Sequence, residues 1–104
     1  KTTPVPKRLK EARLSKGISQ KTLGIQAGID EFSASARINH YERGRHTPDY
    51  QTASRIARVL GIPTAYFYTE DDILSDIICL YGTLRKTDKK LLLKELGHFA
   101  QKRR

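Results

Sequence analysis

Four regularly placed glycines most constrain how this chain can fold, because each stands where a helical pattern stops. Gly17, Gly28, Gly44 and Gly61 separate segments that are rich in helix-forming residues. Glycine is common just after a helix because that position often needs a left-handed backbone, which glycine adopts without steric cost. Ser19, a good helix cap, follows shortly after the first glycine. The spacing therefore predicts short helices joined by tight turns.

The period of the apolar residues places these helices along the chain. The first two predicted helices are residues 7–16 and residues 20–27, the second of them capped by Ser19. The third runs from its cap, Asp30, to about Glu42, and the fourth runs from the capping sequence Thr47–Asp49 to Leu60. A helical turn follows at 63–68. The residues expected to face the core are Leu9, Ala12, Leu23, Ala27, Ile38, Tyr41, Ala53, Ile56, Ala57 and Leu60. Gly24 lies inside the second helix, where it costs about 1 kcal/mol relative to alanine. Its presence predicts that another helix crosses closely there.

Residues 69–101 carry two more helical patterns, one after a capping sequence at Thr69 and one beginning at Thr87 and Asp88. Their inward stripes are expected to be Ile73, Leu74, Ile77, Ile78, Tyr81 and Leu84, then Leu92, Leu93, Leu96, Phe99 and Ala100. So much apolar surface exceeds what a closed five-helix unit needs, which leaves two interpretations. The pair can fold back as an extra layer on the same core, or it can form a dimer surface. The residues predicted for that dimer surface are Ile73, Ile77, Leu80, Leu84, Leu92, Leu96 and Phe99. Since no segment alternates like a strand, the predicted class is all-α.

Charge and composition narrow the possible functions. Twenty Lys and Arg against eleven Asp and Glu give a net charge of +9, which favours anionic partners, nucleic acid first. Cys79 is the single cysteine, so the chain can form no internal disulfide, and we expect a core position and a reducing compartment such as the bacterial cytoplasm and nucleoid. We expect no membrane span, no signal peptide and no small-molecule substrate. Because the first residue is Lys1 rather than Met, we expect that the chain was trimmed or that earlier residues are missing from this sequence.

The sequence offers no catalytic constellation. It has no glycine-rich phosphate cradle, and its serines have no evident histidine and carboxylate partners. His40 and His46 lack a third ligand at a suitable spacing, so we expect no metal site. The prediction is a protein that is not an enzyme and uses no cofactor.

Residues 27–44, AGIDEFSASARINHYERG, have the ingredients of a helix-turn-helix: the end of one helix, a turn with glycine and a second helix. Ile38 and Tyr41 would anchor the second helix from beneath. Four residues would then lie on its outward arc, with Arg37 between the two faces; they are Ser35, Ala36, Asn39 and His40. These side chains are short or form hydrogen bonds, so they suit close approach to base edges in the major groove.

The spacing over residues 8–63 resembles the lambda-repressor-like (Xre-type) helix-turn-helix family. The resemblance is carried by RLKEAR, GISQ, AGI, the sequence INHYERG and LGIP. It implies a compact bundle of about five helices. It also implies that Gln20 touches a phosphate and braces the reading helix, and that Arg43 and Arg45 bind the DNA backbone. The matching ion pair would join Arg13 and Glu42. Ser35, Ala36 and His40 would contact bases, with Arg37 and Asn39 as neighbouring candidates.

One departure from the family pattern is an insertion of about four residues, DEFS, before the third helix. Four residues are about one helical turn, so either the helix begins a turn earlier or the turn is a longer loop. Asp30 is expected to act as a cap in this insertion.

The sequence thus divides into a flexible arm (1–6), a helix-turn-helix DNA-binding domain (7–68), a C-terminal helical pair (69–101) and a basic tail (102–104). The first hypothesis is a bacterial or phage transcriptional regulator, most simply a repressor, that binds double-stranded DNA as a homodimer. Gln20, Lys21, Arg43 and Arg45 would hold the DNA backbone. The alternative is an antitoxin or adaptor that holds a protein partner with its C-terminal helices.

Overall fold

Helices account for all the regular structure in the described part of the chain. The computed structural model describes residues 3–103, and no strand occurs in that range. The helices are α1 (Val5–Lys16), α2 (Gln20–Gln26), α3 (Ala34–Glu42), α4 (Tyr50–Leu60), α5 (Asp72–Gly82) and α6 (Lys86–Lys102), with a 3₁₀ helix at Thr64–Tyr68. The predicted all-α class is confirmed.

The core is built by α1 to α4 and the 3₁₀ helix. Nearly all the residues that were expected to face inward are buried there, and Ala12 packs against them while half-buried. Tyr66 and Phe67 of the 3₁₀ helix close the bottom of this core. Cys79 is half-buried against the same cluster, and burial raises the pKa of its thiol. The apolar period therefore predicted the core correctly as far as the 3₁₀ helix.

The N-terminal helix begins earlier than predicted. Val5 and Pro6 belong to α1 rather than to a flexible arm, because Val5 is a core residue and Pro6 suits the first turn of a helix. Lys102 likewise belongs to α6 rather than to a tail. Lys1, Thr2 and Arg104 lie outside the described residues.

Three helix starts differ from the prediction, two of them in the capping residue. Asp49, not Thr47, caps α4 by accepting a hydrogen bond from the backbone N–H of Thr52. Asp71, not Thr69, caps α5; the Thr69 hydroxyl donates instead to the carbonyl of residue 65. The last helix begins at Lys86, before the predicted start. In the first two cases a carboxylate displaces a nearby threonine as the cap, in agreement with the preference for Asp at this position.

Gly24 lies where α2 and α3 cross. A Cβ on Gly24 would stand 2.7 Å from the Cβ of Ala34 and 2.9 Å from its carbonyl oxygen. Real side chains do not approach so closely, so only glycine permits this crossing. The predicted close approach of another helix at Gly24 is confirmed.

Arg8 ties α5 to the first helix although it is only 3% exposed. Its Nε donates to the carbonyl of Thr69 at 2.8 Å, and its Nη2 donates to the carbonyl of Glu70 and to Oδ1 of Asp72, both at 2.9 Å. At the other end of α5, a Cβ on Gly82 would stand 2.9 Å from the ring of Pro63. Both ends of α5 are therefore held against the core.

The C-terminal pair does not form the extra layer that one interpretation predicted. In α5, Ile73 is 74% exposed and Leu80 is 67% exposed. In α6 no residue is buried, and the helix packs extensively against no other part of the described chain. The residues predicted to face inward are mostly exposed, with Ile78, Leu84 and Leu92 half-buried. Residues 69–101 thus leave a large apolar surface open.

Candidate nucleic-acid interface

The inserted residues before α3 form a turn, not an extra helical turn. The backbone N–H of Phe32 donates to the Asp30 carboxylate at 3.0 Å, and that of Ser33 donates to the Asp30 carbonyl at 3.0 Å. The predicted role of Asp30 as the cap of α3 is wrong, because its side chain closes this turn and the helix begins only at Ala34. The interpretation of a longer loop is the correct one.

Helix α3 is fixed from below and open above. Ile38 is fully buried and Tyr41 is 4% exposed, as predicted. On the other side Ser35, Ala36 and Arg37 are exposed, whereas Asn39 and His40 are half-buried. The first three of the predicted reading residues are therefore open to solvent, and the other two are partly covered.

Gln20 braces α3 through its side-chain amide. Its Nε2 donates to Oδ1 of Asn39 at 3.2 Å and to Oε1 of Glu42 at 3.0 Å. A glutamine amide has two N–H groups, and both are engaged here. The geometry places Gln20 as a brace, with no amide hydrogen left over for a phosphate in this arrangement.

Arg13 holds the same carboxylate from α1. Its Nε donates to one oxygen of Glu42, and its Nη2 donates to the other at 3.1 Å. The side chains of Arg13 and Glu42 are 11% and 3% exposed. This bidentate pair, together with Gln20, connects α1, α2 and the end of α3. The structure thus brings together the two residues predicted to pair.

His40 lies beside His46, with ring centroids 5.0 Å apart. Both line an open groove along α3, which continues to the inserted turn. The groove is lined by Phe32, Ser33, Ala36, Arg37, His40, Tyr41, His46 and Thr47. Phe32 and His46 are members that the sequence analysis did not assign to the interface. An aromatic residue inside a polar insertion was the available signal for Phe32.

Positive charge flanks this surface. Lys21, Arg43 and Arg45 are exposed, and none of them forms an ion pair within residues 3–103. Arg43 also lines a second cleft beside Gln20, together with Lys10. The sequence analysis did not assign Lys10 to the interface, because α1 contains several lysines and the sequence does not show which of them lies near α3. These cations suit the binding of an anionic backbone.

Residues 3–103 form neither a metal centre nor a membrane-spanning helix. No three His, Cys, Asp or Glu side chains come together in a way that could hold a metal ion. In the same range, no helix has the length and hydropathy required to cross a bilayer.

Comparison with known proteins agrees with this geometry. A helix-turn-helix family model matches residues 9–67, which include α2, the inserted turn and α3. The chain belongs to this helix-turn-helix family. The match confirms the lambda-repressor-like resemblance read from the sequence.

Two relatives extend across the C-terminal helices of this family member. A prophage-derived, uncharacterized helix-turn-helix-type transcriptional regulator of Bacillus subtilis, YonR, is 28% identical over 103 residues, covering 92% of each chain. The crystal structure of the transcriptional regulator BswR is similar with a TM-score of 0.82 and 45% identity, covering 90% of this chain and 93% of the other. Both similarities support the prediction of a DNA-binding transcriptional regulator.

Proposed function

We propose that this protein is a sequence-specific transcriptional regulator of bacterial or phage type that reads the major groove of double-stranded DNA with α3. One observation carries the proposal: α3 presents short or hydrogen-bonding side chains on a helix that is fixed from below by Ile38 and Tyr41. A helix fits the major groove when its outer side chains are short enough for its axis to approach the bases. Because its target is the chromosome, we place its action in the bacterial cytoplasm.

The reading residues act from the exposed side of α3. Ser35, Arg37 and His40 supply hydrogen-bonding groups, and Ala36 supplies a methyl group for apolar contact. Asn39 keeps its amide N–H₂ free for a base while Gln20 holds its oxygen. The hydrogen bond from Gln20 thus orients the Asn39 side chain before DNA binds.

The backbone contacts come from the flanking cations. Lys21, Arg43 and Arg45 have no competing acidic partner in the described chain, so their charges are available to phosphates. Gln20 acts mainly by holding α3. Repression is the simplest regulatory action for such a protein, because occupying a site that overlaps a promoter is sufficient.

Selection of bound sites from random duplex DNA tests the reading role. We expect one preferred sequence for the native protein and a different preference for Ser35→Ala or His40→Ala, measured at fixed salt. His98→Ala is the matched control, since His98 is exposed on α6, away from α3. Equal losses on all sequences after the His40 change would contradict its role in reading.

We also propose that the protein is a homodimer formed through α5 and α6. Leu93 and Phe99 of α6 are 72% and 65% exposed. A helix that buries so little within its own chain depends on a partner for stability. An apolar groove between α5 and α6 offers a seat for the same helices of a second copy; its lining includes Ile77, Ile78, Tyr81, Leu92, Leu93 and Leu96.

Charge complementarity favours a second copy as the partner. Helix α5 contains no basic residue, and its Asp76 is exposed and forms no ion pair within residues 3–103, while its Asp72 is engaged by Arg8 and Lys7. By contrast, α6 contains five lysines against Asp88 and Glu95. A twofold arrangement would place the basic α6 of each copy beside the acidic α5 of the other. It would also double the number of base pairs that the protein reads.

Sedimentation equilibrium tests the dimer. We expect a dimer for the native protein and a monomer for Leu93→Lys, which places a charge in the proposed interface. Leu14→Lys is the matched control, because Leu14 of α1 is 59% exposed but lies outside the C-terminal pair. A native monomer would favour the alternative function, an antitoxin or adaptor whose exposed C-terminal faces hold a different protein.

A further inference from the structure

Phe32 is the most exposed of the large apolar side chains, at 95%. The backbone that carries it is held in a turn, because the Asp30 carboxylate accepts a hydrogen bond from the backbone N–H of Phe32 at 3.0 Å. The following residue, Ser33, donates to the Asp30 carbonyl. The hydrogen-bonded turn therefore presents an uncovered aromatic side chain immediately before α3.

The location of this ring matters more than its exposure, since single exposed apolar residues are common. Phe32 lines the same groove as Ala36, Arg37 and His40. It stands at the N-terminal end of α3, and this end of a recognition helix is the part that contacts base edges. A benzyl side chain there has no hydrogen-bonding group and can take only an apolar partner.

The major groove offers one such partner. Thymine alone among the four bases carries a methyl group on its major-groove edge. The turn also contains two carboxylates, Asp30 and Glu31, which disfavour close approach to phosphates. The tip of the turn is therefore a poor partner for the phosphate backbone.

We propose that Phe32 determines specificity by packing against the C5-methyl group of a thymine in each half-site. This inference rests on the proposed function, the reading of DNA by α3. It assigns to the inserted turn a thymine contact separate from the apolar contact proposed for Ala36, and it extends the recognised sequence by one base pair beyond the α3 residues.

Replacement of thymine by deoxyuridine tests the contact, because it removes the methyl group and keeps the base pair. A preferred site is first obtained by selection with the native protein. Each thymine is then replaced singly, and dissociation constants are measured for the native protein, Phe32→Ala and Phe32→Leu. At one position of each half-site we expect uracil to weaken native binding about fourfold, the factor for one buried methyl group. Phe32→Ala should show no loss at that position, and Phe32→Leu should retain part of it.

Three results would overturn the inference. Uracil could weaken the native protein and Phe32→Ala equally at every position, which would assign the methyl contact to another residue. Phe32→Ala could bind all DNA more weakly, by the same factor whether or not thymine is present, which would indicate that the ring contacts the DNA backbone. It could also change the sedimentation behaviour, which would make Phe32 a protein contact. A selection without any preferred sequence would instead reject the proposed function, and this inference with it.

Discussion

Nη2 of Arg8 and Oδ1 of Asp72 lie 2.9 Å apart, joining the first helix of the DNA-binding unit to the first turn of the C-terminal pair. The same guanidinium holds two carbonyls of the connecting segment. One buried side chain from α1 thus holds the N-terminal end of α5.

Arg8→Lys should lower the free energy of unfolding by about 2–4 kcal/mol, because a lysine cannot reach all these acceptors and leaves buried groups unpaired. Urea denaturation would measure the loss. Lys7→Ala is the control: Lys7 pairs with the same Asp72 at 3.6 Å, but both side chains are more than half exposed. An equal loss in the two variants would contradict the importance of the buried network.

Gly24→Ala should destabilise the protein by about 1–3 kcal/mol, since the added Cβ would overlap Ala34. The clash outweighs the gain of about 1 kcal/mol in helix propensity. Gly97→Ala in α6 meets no atom within 4 Å and should stabilise the chain. Thermal unfolding followed by circular dichroism should show a lower melting temperature for Gly24→Ala and a higher one for Gly97→Ala. A change in the same direction for both variants would contradict the close packing of α2 and α3 at Gly24.

Glu42→Gln should cost about 3 kcal/mol, because it leaves the largely buried Arg13 without its counter-charge. Asp88→Asn, which breaks the exposed pair with Arg85, should cost less than about 1 kcal/mol. Chemical denaturation compares the two. If Glu42→Gln were as mild as its control, the bidentate pair would contribute little to the position of α3.

The acid stability of the protein should depend partly on Asp49. A hydrogen bond from the backbone N–H of Thr52, followed by one from its hydroxyl, lowers the pKa of the Asp49 carboxyl. A lowered folded-state pKa stabilises the fold above the unfolded value of about 3.9, and this contribution is lost as the pH falls through the folded-state pKa.

Asp49→Asn keeps a good cap without the titrating group, so its stability should fall less steeply below about pH 4. Denaturation midpoints at a series of pH values would measure the slope. Some acid sensitivity should remain, since the hydrogen bond from Arg8 lowers the pKa of Asp72 as well. If the stability of the native protein and that of Asp49→Asn fell equally as the pH was lowered, Asp49 would have no role in acid stability.

Arg43→Ala should weaken binding to all duplexes by a similar factor and reduce the slope of log affinity against log salt by about one, the value for one lost phosphate contact. Arg58→Ala is the matched control, because Arg58 is exposed at the end of α4. Fluorescence anisotropy at several salt concentrations measures both slopes. An unchanged slope for Arg43→Ala would exclude Arg43 from the phosphate contacts.

Local patterns in the sequence were sufficient for the inner architecture of this protein. The apolar period identified Ile38 and Tyr41 as the buried side of α3, and a glycine within a helix pointed to the crossing at Gly24. These features are set by near neighbours in the chain, so the sequence alone reveals them. The motifs around α2 and α3 likewise identified the family.

Only the tertiary structure decided the contacts of the inserted turn, the hydrogen bonds of Gln20 and the environment of α6. Only the packed chain shows that Asp30 closes a turn beneath Phe32 rather than capping α3. It alone shows that Gln20 commits its amide to Asn39 and Glu42, and that α6 remains uncovered by its own chain. The contacts of Gln20 and the exposure of α6 depend on groups that are far apart in sequence, whereas the role of Asp30 depends on whether its carboxylate closes the local turn or caps α3. Periodicity cannot decide these outcomes, because it records only which side of a helix is apolar and not what that side meets.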